Sequence, residues 1–471
     1  MKAEVKHIID GCMERNATIC RYMSEYGSLT LDEFIDLQRQ KLVANNTITP
    51  MQDQEDFILI CTEYVSDRLG AEYGRFVREA LNTKALHTAD HVGGLYAPQC
   101  FQGDLLFARL TGVKCIPCFA AGSVTLHSST YGRGIQYFSN SKEIGRIPLF
   151  PGKYAKYSAS LVDGMDEAAI NRGLKLAASV ENAEILDRIS DILSNIYLDR
   201  QLLEQKRFAD QAIRIGAGLF KDLGGCAAAA PLIHIETEEV SGRLFIRDIK
   251  DKTSLIHKML YNKNIVSGMG RLRERLFRGN DKKGHMFSLK LCEDGVLRGK
   301  TIHDEDYEIA ADPDSLCNAI SQRQVFVSAY LRALMLAFAR GFTWYGGIFQ
   351  SSYLRQWQEE TVSVLRQAGE DEMASYIEGF ETDGYICGPV FAMFDAKDGA
   401  TPAGPVEFGL RNVSEEQIDK CMHQITVYES HIMGMFEFYY DLFFANERID
   451  GWYSKLAAFE KNNYFDNCII F

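Results

Sequence analysis

His87-Thr88-Ala89-Asp90-His91-Val92-Gly93-Gly94 opens the stretch that organises this chain, and Ser123-Val124-Thr125-Leu126-His127-Ser128-Ser129-Thr130-Tyr131-Gly132-Arg133 closes it. Between them lie Gln99-Cys100-Phe101-Gln102 and Cys115-Ile116-Pro117-Cys118. The amphipathic rhythm of the flanking sequence stops here. Metal-ligand residue types, small hydroxyls and glycines replace it.

Working outward, apolar spacing before the stretch predicts helices over residues 1–46 and one long helix over Asp56–Asn82. Inside it, Phe101–Leu110 reads as a helix and Val113–Ala121 as a short apolar strand. Ser123–His127 and Gly134–Phe138 carry β-formers around a turn. Residues 144–153, with two prolines, read as loop, and 182–220 as helix. Further on, Pro231–Glu236 and Arg243–Ile249 are expected strands, and Met269–Phe277 an expected helix. Glu293-Asp294-Gly295 marks a hairpin between His285–Cys292 and Val296–Thr301. Trp344–Gln350 reads as an interruption, and Glu415–Ala445 as a long closing helix. The expected class is α+β, α-rich, with small antiparallel sheets and long amphipathic helices. Two regions are expected, or one continuous domain. Residues 1–223 would carry the site stretch and a small sheet, and 224–471 the hairpin 285–301 and the closing helices.

Composition narrows the function classes. The 471 residues are 46% hydrophobic and 24% charged, the balance of a globular protein. A net charge of -13 repels phosphate backbones and argues against nucleic-acid binding. The longest apolar runs fall short of the ~20 residues that span a bilayer, and the first residues lack a secretory apolar core. The expected compartment is the cytoplasm, where the 12 cysteines are reduced thiols. Cys468-Ile469-Ile470-Phe471 fits a prenylation pattern but has no polybasic run before it.

Three groups of residues can carry chemistry. His87 and His91 are four apart, so a helix would set both imidazoles on one side, with Asp90 as a third ligand or as an orienting carboxylate. His127 is the best distant partner. Two or three His with a carboxylate suit a divalent metal, Zn or Fe. Second, Ser128, Ser129 and Arg133 supply hydroxyls and a guanidinium for a carboxylate or phosphate, and Gln102 can orient a substrate. Third, Cys115 and Cys118 form a lone Cys-x-x-Cys in strand-like sequence, which reads as buried thiols because no second pair accompanies it. His234 and Glu236 share a strand face and read first as hydrogen-bonding residues.

The expectation is an enzyme that uses a divalent metal on a small anionic metabolite. His87, Asp90 and His91 would hold the metal, His127 and Gln102 would act in catalysis, and Ser128, Ser129 and Arg133 would bind substrate. The residue pattern does not separate a hydrolase from a lyase or an oxygenase. The alternatives are a metal-free transferase with a His general base in the same pocket, and a binding or assembly protein whose aromatic segment Tyr428–Phe444 docks a partner, with a homo-oligomer among the expected assemblies.

Overall fold

The computed structural model describes residues 2–94, 96–127, 133–138, 144–223, 230–396 and 399–471. At its centre are five short strands: Ala85–His87, Ile116–Ala120, Leu232–Glu236, Thr343–Gly347 and Tyr385–Cys387. Every pairing among them is parallel. The spatial order is 385–387, 343–347, 85–87, 116–120, 232–236. The chain starts in the middle, builds out to one side, then crosses and builds out to the other. In such doubly wound sheets, ligands bind beyond the carboxyl ends of the strands, near the point of reversal. Here the reversal falls between strands 85–87 and 343–347.

Strand alternation sorts the sheet into two faces. Ala85, Cys118, Ala120, Leu232 and Tyr345 join one apolar core. Leu86, Phe119, Ile233, Ile235 and Trp344 join the other. A parallel sheet buried on both sides reads as continuous apolar runs, which is the pattern of Ile116–Ala120 and Leu232–Ile235. Helix Pro98–Thr111 covers the first face, where Phe107 meets His87 edge-on at 5.0 Å. Phe57 of helix Glu55–Leu69 stacks on Phe119 of the second face at 5.5 Å.

The α-rich α+β class holds. Antiparallel pairing is found in the sheet ordered 325–327, 277–280, 286–291, 296–300, 306–310, which contains the hairpin read from Glu293-Asp294-Gly295. The central parallel sheet lies outside the expectation of small antiparallel sheets. It draws strands from both the 1–223 and the 224–471 region.

Several local expectations fail for identifiable reasons. The single helix over 56–82 is two, Glu55–Leu69 and Ala71–Leu81, broken at Gly70, whose φ of +100° suits glycine and strains other residues. Arg243–Ile249 is the end of helix Thr237–Asp248 rather than a strand. Met269–Phe277 is a 3-10 turn, Gly270–Glu274, leading into strand Phe277–Asn280. Trp344–Gln350 spans a central strand and the start of helix Ile348–Gln367. Residues 123–127 form no strand beyond a single bridge from Thr125 to Ser158, and 145–148, expected as loop, pair with 134–137. The closing helix is interrupted at Ile425 and runs through a π-helical turn at Ile432–Phe436. No described helix is long and apolar enough to cross a membrane.

Candidate metal centre

Parallel register aligns side chains of neighbouring strands on one face. His87 stands opposite Tyr345 on one side and Cys118 on the other, and Cys118 stands opposite His234. Tyr345, His87, Cys118 and His234 therefore form a row across four strands. Two carboxylates close on it. Asp90 comes from the turn after strand 85–87, whose own backbone pairs with Ala121. Asp104 comes from the covering helix 98–111.

All five polar side chains are buried. Asp90 Oδ2 lies 3.2 Å from Cys118 Sγ and 3.2 Å from His234 Nε2. Cys118 Sγ lies 3.4 Å from His87 Nδ1, and His87 Nε2 lies 3.0 Å from Asp104 Oδ1. That last contact is close but misaligned, so neither Nε2 nor either Asp104 oxygen has a hydrogen-bond partner among the described residues. Asp90 Oδ1 and His234 Nδ1 are unpartnered as well. Leaving one buried polar atom unsatisfied costs about 1–3 kcal/mol. Five such atoms lie on these four side chains, with His234 Nδ1 facing Gly216 on the far side of its ring.

The electrostatics agree. Burial holds the His87 imidazole down at about 4, against the pull of Asp90, so the ring is neutral at pH 7. Burial first, then the charge of Asp90, pushes the Asp104 carboxyl well above its ordinary range. Burial also drives Asp90 upward, but the His234 hydrogen bond and the nearby imidazoles outweigh it and hold Asp90 below that range. The Cys118 thiol is pushed far up by burial and by both carboxylates. Without a cation Asp104 and Cys118 keep their protons while Asp90 is ionised.

A divalent metal fits this donor set. Bonds of about 2.0–2.3 Å to N, O and S place neighbouring ligand atoms about 3.0–3.6 Å apart. Three of these contacts, Asp90 Oδ2 to Cys118 Sγ and to His234 Nε2 and Cys118 Sγ to His87 Nδ1, have the lengths of the edges of such a polyhedron, and Asp104 stands at the other nitrogen of His87. Ligand atoms of Asp90, Cys118 and His234 lie within 4.8 Å of one another, as do those of His87, Asp104 and Cys118. These buried His, Asp and Cys clusters can hold a metal ion.

The residues singled out from sequence divide into groups. His87 and Asp90 meet in the cluster, but His87 ends a strand, so the one-turn helix relation to His91 does not exist. His91 forms an extended bridge to Ala121, burial lowers its imidazole against the charges of Asp90 and Glu238, and it belongs to neither close ligand group. Exposed His127 accepts from Arg133 Nε at 3.4 Å, which brings those two together with each other and not with the buried cluster. Gln102 is buried, and its amide is spent on backbone. It donates to Ala392 O and Ala403 O and accepts from Phe391 N and Ala392 N, fixing helix 98–111 against the neighbouring sheet. Ser128 and Ser129 lie outside the described residues.

Sequence reasoning missed Asp104 and passed over Cys118 and His234. The available signal was an acid inside an apolar helix and polar residues inside strands that are apolar on both faces. Cys115 and Cys118 do not act as a pair, because Cys115 enters the opposite core.

The fold and site together define a doubly wound parallel sheet with a mixed N/O/S donor cluster near its carboxyl edge. The chain matches no protein-family model, no curated protein and no solved structure.

Proposed function

We propose that this protein is a metal-dependent enzyme acting on a small carboxylate or phosphate metabolite. Asp90, Cys118 and His234 hold the metal, and His87 completes the set through Nδ1. The observation that carries this reading is the convergence of Asp90 Oδ2, Cys118 Sγ, His234 Nε2 and His87 Nδ1 in one buried cluster, with contacts of 3.2 to 3.4 Å between neighbours. A divalent ion would polarise a bound oxygen or activate water. Zinc suits mixed imidazole, thiolate and carboxylate ligands better than iron(II), which favours His and carboxylate alone. Ala89 N–H and Cys118 Sγ both face His87 Nδ1, at 3.5 and 3.4 Å, so Nδ1 is the accepting nitrogen and the ring proton sits on Nε2, beside Asp104. With metal bound and Asp104 ionised, Nε2–H would meet a carboxylate, the arrangement that raises ligand basicity.

Metal analysis of untagged protein is the test. Wild type should carry about one tightly held equivalent, lost in Cys118→Ser and in His234→Ala but kept in Cys115→Ser. Metal far below one equivalent in wild type, unchanged in the variants, would sink the proposal.

A metal-free transferase is the second reading. It is favoured by one feature, the order Cys118–His87–Asp104, which resembles a nucleophile, a base and an orienting carboxylate. Turnover that survives exhaustive chelation would select it.

A further inference from the structure

A second ligand set lies at the ends of two hairpins of the antiparallel sheet. Asp281 and His285 bracket the turn between strands 277–280 and 286–291, and His303 sits in the turn between 296–300 and 306–310. One ligand atom from each residue lies within 4.8 Å of the other two. We infer that Asp281, His285 and His303 form a solvent-facing site for a divalent transition metal, independent of the buried centre.

The turn is built to aim these groups. Asp281 N donates to His285 O and Gly284 N to Asp281 O, with Gly284 at φ +88°. Asp281 Oδ1 accepts from Lys283 N at 2.8 Å and His285 N at 2.9 Å, and Oδ2 lies 3.0 Å from His285 Nδ1. Burial would raise this carboxyl, but the backbone and imidazole hydrogen bonds outweigh burial and keep Asp281 ionised. Nδ1 of His285 and Oδ2 of Asp281 thus stand at the spacing of neighbouring ligands on one ion, which would replace the proton between them. Tyr157 packs edge-on against the His285 ring at 4.6 Å and limits its rotation. The His303 ring stands 6.1 Å from that of His285 at 89°.

Asp281 and His285 are half-buried and His303 is exposed. The protein offers at most three donors, and water or an anion fills the remaining positions. Two imidazoles and one carboxylate select Zn²⁺, Ni²⁺, Co²⁺ or Cu²⁺ over Mg²⁺ and Ca²⁺, which prefer oxygen.

Zn²⁺ titration of untagged, chelator-stripped full-length protein by calorimetry tests this, with Mg²⁺ as comparison. Wild type should show an exchangeable class of site that Mg²⁺ does not fill. His303→Ala and His285→Gln should each weaken it at least tenfold, and Cys118→Ser should leave it intact. His303 is exposed, so its removal should leave the circular dichroism unchanged. No exchangeable class in wild type, or Zn²⁺ affinity unchanged from wild type in both histidine variants, would overturn the inference. Neither result bears on the buried centre, whose loss is read separately in Cys118→Ser.

Discussion

Asp104→Asn separates a metal centre from an ordinary buried polar cluster, because it should act in opposite directions with and without metal. Asp104 faces His87 Nε2 at 3.0 Å and has no other polar partner among the described residues. With metal bound, Asn replaces a charged orienting group by a neutral one. Losses of this kind cost about 10–100-fold in metal affinity, or about 1.4–2.7 kcal/mol. Without metal the sign reverses. Burial and Asp90 hold the Asp104 carboxyl well above its ordinary 3.8. An acid whose folded value is raised costs stability once pH exceeds the unfolded value, because the unfolded chain ionises freely and the fold resists. Metal-free Asp104→Asn should therefore melt higher than metal-free wild type at pH 8, with the difference closing as pH falls toward 4. Thermal melts with and without chelator, at pH 4.5 and pH 8, give the stability arm. Competition with a chromophoric chelator gives the affinity arm. Equal metal affinity, together with a metal-free variant less stable than wild type at both pH values, would refute the reasoning.

Two further expectations concern the scaffold. Glu407 is buried and accepts from Phe138 N at 2.7 Å and Gly404 N at 2.9 Å, yet burial still lifts it from 4.5 to about 7. Stability should therefore fall by about 3 kcal/mol as pH rises from 4.5 to 7, and Glu407→Gln should flatten that part of the profile in urea unfolding series. Buried Arg340 donates to Asp56 at 2.8 Å and to Asp248 at 2.6 Å. Arg340→Ala leaves Asp248 with the Gln52 amide and Asp56 with a looser Arg247 contact at 3.6 Å, and should cost about 3–5 kcal/mol by urea unfolding, whereas a cost below about 1 kcal/mol would mean that these remaining partners suffice.

The sequence made part of this legible. The stretch from His87 to Arg133 holds four members of the cluster, His87, Asp90, Asp104 and Cys118, of which ligand-type spacing picks out the first two, and the short apolar run around Cys118 is a strand. Helical spacing between His87 and His91 misled, because i, i+4 is informative only on a helix, and His87 pairs with Tyr345 and Cys118 in a sheet. Short strands were hard to see for the same reason. Ala85–His87 has three residues, too few for a periodic signal, and Trp344–Gly347 reads as aromatic and glycine punctuation until a neighbour supplies its hydrogen bonds.

Asp104 was the least legible residue, and its invisibility follows from how a parallel sheet assembles a site. His87, Cys118 and His234 are separated by 31 and 116 residues, yet register makes them adjacent. No local pattern encodes that adjacency, because strand order is set by crossover helices and not by the strands. Asp104 adds a second non-local step, since it reaches the row only when helix 98–111 lies over that face. Gln102 holds the helix there through four hydrogen bonds to backbone around residues 391–403. The residue expected to orient a substrate thus fixes the helix whose carboxylate faces the centre, so loosening it should disturb Asp104 before it disturbs any ligand drawn from the strands.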